Sequence, residues 1–199
     1  MFRIVLMTLL VAALWTPIGA QEEEQVLGFV IGLGTGLLVP SVRDVPGGLD
    51  DPGFLVRLDL GLTIAGIVGA RALLEFSPFE WQVSEDNTVP MSHQLFSLDL
   101  FTEVNLGEKW RLWPAVGYTL DASITDTTGT GFLTAHGIHA ELGCGYRLNS
   151  IMFVNLAVGY HFTGKFQTID IEESERVEWG DNAGASYLDI HAGVVFSLK

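Results

Sequence analysis

The chain has 199 residues, with 24 acidic against 10 basic side chains, a formal net charge of −14 and a single cysteine. An acidic excess of this size argues against nucleic acid as a partner, because phosphate contacts require lysine and arginine. One cysteine excludes an internal disulfide, so other interactions must hold the fold together. The length suits a single domain.

Residues 1–20 predict a secretory signal peptide. Arg3 precedes the apolar run 4–14, small residues follow, and the chain then becomes acidic. The run is too short for a membrane helix, which needs about 20 apolar residues. We expect cleavage after the twentieth residue, which leaves a short acidic segment, 21–25, and one domain, 26–199. Loss of the one basic residue, Arg3, takes the formal net charge from −14 to −15.

The expected mature chain alternates apolar residues with polar or small ones, at the period of a β-strand. Eight segments show this pattern: 27–39, 54–63, 70–77, 94–106, 110–121, 137–148, 152–162 and 187–198. In the sixth segment, Ile138 and Leu142 lie on one face, and His139 and Glu141 lie on the other. Alternation over this length predicts strands with two chemically different faces.

The composition of the two faces indicates which one points outward. The apolar face is almost free of charge in all eight segments, and the other face carries glycines and charged residues. Glycine and paired charges suit a narrow polar interior, whereas an outward apolar face is stable only against lipid. The pattern therefore predicts an all-β protein, an eight-stranded antiparallel up-and-down transmembrane β-barrel. A soluble ligand-binding barrel is the alternative, since it has the same strand number.

The connections between segments alternate in length. Long connections are expected at 40–53, 78–93, 122–132 and 163–186, and short ones at 64–69, 107–109 and 149–151. Aromatic residues lie near the expected strand ends: Phe76, Phe79 and Trp81 toward the long connections, and Trp110 and Tyr146 toward the short ones. Membrane barrels have this arrangement, with short turns and both termini in the periplasm and long loops outside the cell.

Several stretches carry a resemblance to a known group. They are the glycine-rich first strand from Gly28 to Gly36, the stretches 111–117 and 143–148, and the final strand. The chain resembles the small outer-membrane β-barrel superfamily, which includes porin-family, OmpA-like and OmpX-like domains. The resemblance implies a Gram-negative outer-membrane location and the barrel-assembly machinery as a partner during biogenesis. Members usually end on an aromatic residue, whereas here Phe196 is followed by three more residues.

Charged residues on the predicted inner face form the main candidate site. They are Arg57, Asp59, Arg71, Glu75, Asp99, Glu103, Arg111, Asp121, Glu141, Arg147 and Asp189, with His139, His161 and His191. Eight strands enclose an interior about wide enough for side chains alone. We therefore expect a structural network of ion pairs, without a metal ion. The expected pairs join three arginines to four acids: Arg57, Arg71 and Arg147 with Glu75, Asp99, Glu103 and Glu141.

The fourth long connection is strongly acidic. Its acids are Asp170, Glu172, Glu173, Glu175, Glu178 and Asp181. Acidic oxygens could hold Ca²⁺ or Mg²⁺ that bridges to lipopolysaccharide phosphates. The spacing matches no fixed calcium loop, and a solvated external loop is the simpler interpretation.

Two motifs suggest chemistry but fail on geometry. Some small barrels that modify lipid A place a serine and a histidine near the outer leaflet, and Ser92, His93 and His136 lie in that region. Adjacent residues of a strand point to opposite faces, so Ser92-His93 does not predict a catalytic pair. The glycines of 32–36 lie in an alternating strand with no helix after them, which argues against a phosphate loop.

The sequence therefore predicts a monomeric integral outer-membrane barrel with a filled lumen and a structural or surface-interaction role. The expected partners are outer-membrane lipids and lipopolysaccharide. No cofactor and no enzymatic activity are expected. The alternatives are a narrow porin-like channel for small solutes and a lipid A-modifying enzyme, such as a deacylase-like hydrolase.

Overall fold

The structure is a computed structural model of the chain. It describes residues 27–43, 52–64, 67–84, 87–127, 129–165, 167–170 and 184–198. The predicted signal peptide and acidic N-terminal segment lie outside these ranges. None of the described residues forms a helix long and apolar enough to cross a membrane.

The described residues form ten strands of one sheet. Two of the strands are short continuations of longer ones, so the sheet has eight strand positions, called staves here. Their bounds are β1 (Leu27–Arg43), β2 (Gly53–Ile64), β3 (Val68–Ser84), β4 (Asn87–Thr102), β5 (Val104–Leu106), β6 (Trp110–Thr127), β7 (Gly129–Arg147), β8 (Met152–Lys165), β9 (Gln167–Asp170) and β10 (Gly184–Leu198). Short β5 follows β4 along the same edge of β6, and short β9 follows β8 along the same edge of β7.

Each stave pairs antiparallel with the next, in the order β1, β2, β3, β4, β6, β7, β8, β10. The last strand pairs back onto the first through a long ladder that runs from Phe29–Leu198 to Arg43–Gly184. The described strands therefore form a closed, eight-stranded antiparallel barrel with no unpaired edge strand. The predicted fold class is confirmed.

The direction of the alternation is also confirmed. Along β2, buried residues alternate with exposed ones for almost the whole strand. Arg57 is 1% exposed, whereas the apolar residues Leu100 and Leu142 are 66% and 60% exposed. In this arrangement charged side chains lie inside the barrel and large hydrophobic side chains lie outside. Lipid stabilises such an outer surface, whereas water does not.

Aromatic rings lie at both ends of the outward apolar face. Trp110 and Tyr146 contact edge to face, with ring centroids 5.0 Å apart, at the end that carries the short turns. Tyr160 and Phe162 lie toward the other end, with centroids 4.7 Å apart. The outward face of β7 between Tyr146 and His136 spans ten residue steps. At about 3.3 Å per step and a tilt of about 40°, it is about 25 Å tall, which matches the apolar band of membrane barrels.

Two of the predicted long loops are largely strand, which corrects the predicted boundaries. The β3–β4 ladder continues to the pair Ser84–Asn87, inside the predicted loop 78–93. The β6–β7 ladder continues to Thr127–Gly129, inside the predicted loop 122–132. Beyond the lipid, an outward side chain need not be apolar, so the alternation stops. The backbone hydrogen bonds still continue the ladder.

The short turns lie together at one end of the barrel, called the short-turn end here, with Leu27 and Leu198. Gly107 has φ +75°, a left-handed conformation that glycine adopts without strain. In the turn that follows β7, the side-chain oxygen of Asn149 accepts hydrogen bonds from the backbone N–H groups of Ile151 and Met152, at 3.0 and 2.9 Å. Both turns use residue types that favour tight reversals.

A glycine in β7 makes room for a buried indole. A Cβ atom at Gly143 would lie 2.2 Å from Cε2 of Trp113. We expect Gly143→Ala to push the indole aside and to destabilise the barrel by about 1–3 kcal/mol, as overpacking does. Urea unfolding of the protein in detergent micelles, followed by tryptophan fluorescence, measures the change. Gly34→Ala is the matched control, because its Cβ would meet nothing closer than 3.3 Å. Equal loss in both variants would contradict the packing argument.

Candidate functional site in the barrel lumen

Twelve titratable side chains occupy the middle of the lumen, and this set is called the lumen cluster. Its members are Arg57, Arg71, Asp59, Glu75, Asp99, Asp121, Glu141, Asp189, His93, His139, His161 and His191. All but Arg71 are buried, and the side chain of Arg71 is 8% exposed. Groups so thoroughly removed from water are stable only when charges and hydrogen bonds compensate one another.

Arg57 is the centre of the cluster. Its Nε donates to Oδ1 of Asp59 at 2.7 Å, and its Nη1 donates to Oε1 of Glu75 at 3.0 Å. The same Nη1 lies 2.6 Å from Oε2 of Glu141 and 3.7 Å from Oδ1 of Asp189. One guanidinium therefore faces four carboxylates, which come from strands β2, β3, β7 and β10.

Arg71 makes the second set of ion pairs. Its Nη2 lies 3.1 Å from Oδ2 of Asp99 and 2.7 Å from Oε1 of Glu141. Trp113 donates from Nε1 to the same Glu141 oxygen at 3.0 Å. Glu141 thus accepts hydrogen bonds from Arg71 and Trp113 through one oxygen and forms an ion pair with Arg57 through the other.

The Arg57–Glu141 pair crosses the full width of the barrel. Strand β2 and strand β7 lie four staves apart in a ring of eight, so they are opposite walls. Their side chains meet at 2.6 Å. A direct ion pair between opposite walls therefore spans the lumen at this level.

The three predicted lumen histidines lie beside acids of the cluster. Nδ1 of His139 is 2.8 Å from Oδ2 of Asp99, and Nδ1 of His191 is 2.7 Å from Oδ1 of Asp189. The rings of His139 and His161 are stacked, with centroids 4.2 Å apart and planes 17° apart. They meet because the two residues are direct register partners of strands β7 and β8.

A fourth histidine, which the sequence analysis placed in a possible hydrolase site, lies in the lumen toward the long hairpins. Nδ1 of His93 is 3.3 Å from Oδ1 of Asp121, and the Tyr187 hydroxyl donates to Asp121 Oδ2 at 2.8 Å. Ser92 is half-buried and lies on the opposite face of β4. The serine across from His93 in the ladder is Ser77, whose hydroxyl has no hydrogen-bond partner among the described residues. Among the described residues, Ser77 therefore makes no hydrogen bond with His93.

A separate ion pair lies at the short-turn end of the lumen. Nη1 of Arg111 donates to Oε1 of Glu103 at 2.9 Å, and its guanidinium carbon lies 3.6 Å from the Phe153 ring centroid. A cavity of about 30 Å³ lies beside this pair, lined in part by Trp113 and Asn155. A space of this size holds about one water molecule.

Two predicted positions differ from the structure. Arg147 is exposed and lies over the Phe153 ring at 5.3 Å, so it is not part of the lumen cluster. It occupies the last residue of β7, where the ladder ends and the side chain reaches water. Arg111, and not Arg147, forms the ion pair with Glu103. Phe79 is buried in the lumen against His93, at 5.6 Å between centroids, rather than in an outward aromatic ring.

The predicted acidic loop lies outside the described residues, except for the backbone of Asp170 at the end of β9. His136, the other histidine of the possible hydrolase site, points outward and contacts the Tyr118 hydroxyl. Sequence analysis missed Trp113 and Tyr187 as lumen partners. The available signal was their spacing: Trp113 is two residues from Arg111, and Tyr187 is two residues from Asp189, so each pair shares a strand face.

A closed eight-stranded barrel with an apolar outer face, aromatic ends and a charged lumen defines the class of small transmembrane β-barrels. The family model described as outer membrane protein beta-barrel domain matches residues 7–196. The chain therefore belongs to this family and is an outer-membrane β-barrel protein. No curated protein sequence is significantly similar to the chain.

Solved structures agree with this assignment at the level of the fold. OprG from Pseudomonas aeruginosa is similar with a TM-score of 0.64 and 14% identity over 88% of this chain and 98% of that one. Neisserial surface protein A has a TM-score of 0.60 and 14% identity over 84% and 96%. The attachment invasion locus protein Ail of Yersinia pestis, in complex with a heparin analogue, has a TM-score of 0.57 and 10% identity over 87% and 100%.

Proposed function

We propose that this protein is a non-conducting outer-membrane barrel with a structural or surface-interaction role. The observation that carries the proposal is the ion pair between Arg57 and Glu141, which joins opposite walls at 2.6 Å. Arg71, the four histidines and the remaining acids pack around it. A solute would have to break these pairs, and exposing an unpaired buried charge is costly.

The proposal places the function on the surface of the barrel. In the family's usual orientation, the short turns and both termini lie in the periplasm, and the long hairpins lie outside the cell. The acidic segment from Asp170 to Asp181 then meets the lipopolysaccharide layer. Divalent cations that bridge these acids to lipopolysaccharide phosphates would attach the loop to its surroundings. The proposal includes no catalytic step, since Ser92 and His93 lie on opposite faces of β4.

Conductance in a planar lipid bilayer tests this proposal. We expect the folded protein to show no stable single-channel steps, because the side chains of the lumen cluster fill the passage. An open porin added to the same bilayer controls for insertion and detection. A gel-mobility shift on boiling shows that the sample is folded. Reproducible steps from the folded protein would contradict the proposal and favour a narrow porin-like channel.

A further inference from the structure

Part of the lumen cluster brings metal-ligating atoms together beside a glycine. His139, His161 and Asp189 each offer one ligand atom, and these atoms lie within 4.8 Å of one another. A second group, Glu75, Asp189 and His191, shares Asp189 with the first. All five side chains are at most 2% exposed.

Gly159 leaves the space into which these atoms point. A Cβ atom built on Gly159 would lie 1.9 Å from Oδ2 of Asp189 and 2.9 Å from Nε2 of His139. Any larger residue at this position of β8 would displace the carboxylate.

The converging atoms are buried and poorly hydrogen-bonded. Nε2 of His139, Nε2 of His161, Oδ2 of Asp189 and Oε2 of Glu75 are buried and make no hydrogen bond of good geometry with the described residues. Nε2 of His161 lies 2.9 Å from Oε2 of Glu75 and 3.5 Å from Oδ2 of Asp189. Nε2 of His161 therefore pairs with both carboxylates, whereas Nε2 of His139 has no hydrogen-bond partner among the described residues, and a buried nitrogen left in that state is costly.

The charge of the lumen cluster also calls for a cation. Two arginines face six carboxylates, so the formal charge is −4 when the four histidines are neutral. A divalent ion bound to neutral imidazoles would halve this excess; protons would have to charge two histidines to do the same and all four to remove it. Two of those histidines are stacked at 4.2 Å, where two positive charges would repel.

We propose that the lumen binds one divalent transition-metal ion of the zinc type, through His161, Asp189 and Glu75, with His139 as the fourth ligand. Imidazole nitrogen and carboxylate oxygen in a four-coordinate set suit Zn²⁺. The 3.5 Å between His161 Nε2 and Asp189 Oδ2 is close to the ligand separation of about 3.4 Å that tetrahedral bonds of about 2.1 Å produce, whereas Oε2 of Glu75, 2.9 Å from the same nitrogen, would have to move away on binding. An ion lies in the plane of each imidazole that binds it, so binding also requires the His139 ring to rotate out of the stack.

The ion would link two parts of the barrel wall, β3 on one side and the neighbouring strands β7, β8 and β10 on the other. Glu75 lies on β3, His139 and His161 lie on the paired strands β7 and β8, and Asp189 lies on β10. Binding to the folded state alone raises stability in proportion to the logarithm of the metal concentration. The proposed site is therefore a structural metal site that also contributes to closing the lumen.

Metal content of the untagged, full-length barrel tests the proposal. The protein is refolded from urea into detergent micelles with Zn²⁺ or with a chelator, desalted, and measured by mass spectrometry of the metal. We expect about one Zn²⁺ per folded chain. We also expect a higher thermal midpoint with Zn²⁺ than with the chelator. Refolding in the presence of the metal allows the ion to enter before side chains close the lumen.

Matched variants locate the ion. Asp189→Asn and His161→Gln should lower zinc affinity by more than about 100-fold, because loss of even the partners of metal ligands costs about 10–100-fold. Asp121→Asn and His93→Gln change the same residue types elsewhere in the lumen cluster, and they should keep the zinc and the thermal shift. Each variant is compared with its own chelated form, so a general loss of stability does not affect the conclusion.

Three outcomes would overturn the proposal. The wild-type barrel could bind no zinc, in which case protons alone balance the lumen acids. Asp189→Asn could retain zinc while Asp121→Asn loses it, which would place the ion at the other end. Zinc could also disappear when the six acids of the segment from Asp170 to Asp181 become amides, which would place it in the external loop.

Discussion

Replacing Arg57 by alanine is expected to destabilise the barrel by about 3–5 kcal/mol, the usual cost of removing one partner from a buried ion pair. The guanidinium lies within 3.0 Å of oxygens from Asp59, Glu75 and Glu141. The mutation would leave these carboxylates facing one another with one arginine, Arg71, in the cluster. The repulsion is large because protein rather than water surrounds the carboxylates.

Urea unfolding in lipid vesicles or detergent micelles measures this effect. Arg147→Ala is the matched control, because Arg147 is exposed at the end of β7 and lies over an aromatic ring. We expect the control to change the free energy of unfolding by less than about 1 kcal/mol, as exposed charged residues usually do. Equal effects in the two variants would show that the lumen cluster does not stabilise the fold.

Replacing Leu142 by arginine is expected to cost about 2–4 kcal/mol, the penalty for a cation at the middle of a lipid-facing barrel surface. Leu142 is 60% exposed and lies between Ile138 and Tyr146 on the outward face of β7. In a protein surrounded by water, a charge at such an exposed position would be tolerated. The variant therefore tests the lipid contact itself.

Leu148→Arg provides the control for this second prediction. Leu148 is 50% exposed and follows the end of β7, beyond Tyr146. We expect a cost of about 0–1 kcal/mol there, since the penalty for arginine falls off toward the interface. The measurement is again urea unfolding in vesicles, with the folded fraction read from gel mobility before and after boiling. Full tolerance of arginine at both positions would argue against a membrane-facing surface.

The strands of the membrane band could be predicted because lipid imposes a rule on every second residue. Leu142 must be apolar outside, while Glu141 faces the lumen, so the period of two is visible in the sequence. The same rule ends where the lipid ends. The sequence therefore predicts loop for the extensions of β3 and β4 to Ser84 and Asn87, although the backbone pairing continues there.

The sequence shows which charged residues lie on the inner face, but it does not show which of them form ion pairs with one another. The alternation of residues along β2 and β7 predicts that Arg57 and Glu141 face the lumen. Only closure of the barrel places β2 opposite β7 and brings Nη1 of Arg57 to 2.6 Å from Oε2 of Glu141. The same alternation predicts that Arg147 faces the lumen, whereas in the structure it lies at the end of β7 and is exposed. The position of a residue along the barrel axis depends on how the whole sheet is assembled, so no short stretch of sequence reveals it.

The sequence by itself determined the strand number, the direction of the alternation and the class of protein, because each follows from whether a residue faces lipid or the lumen. The tertiary structure alone decided which charges pair, that Arg57 and Glu141 meet across the lumen, and that ligand atoms of His139, His161 and Asp189 lie within 4.8 Å of one another beside Gly159. Those contacts join residues far apart in the chain. Their geometry depends on the curvature and register of the closed sheet, which no local pattern encodes.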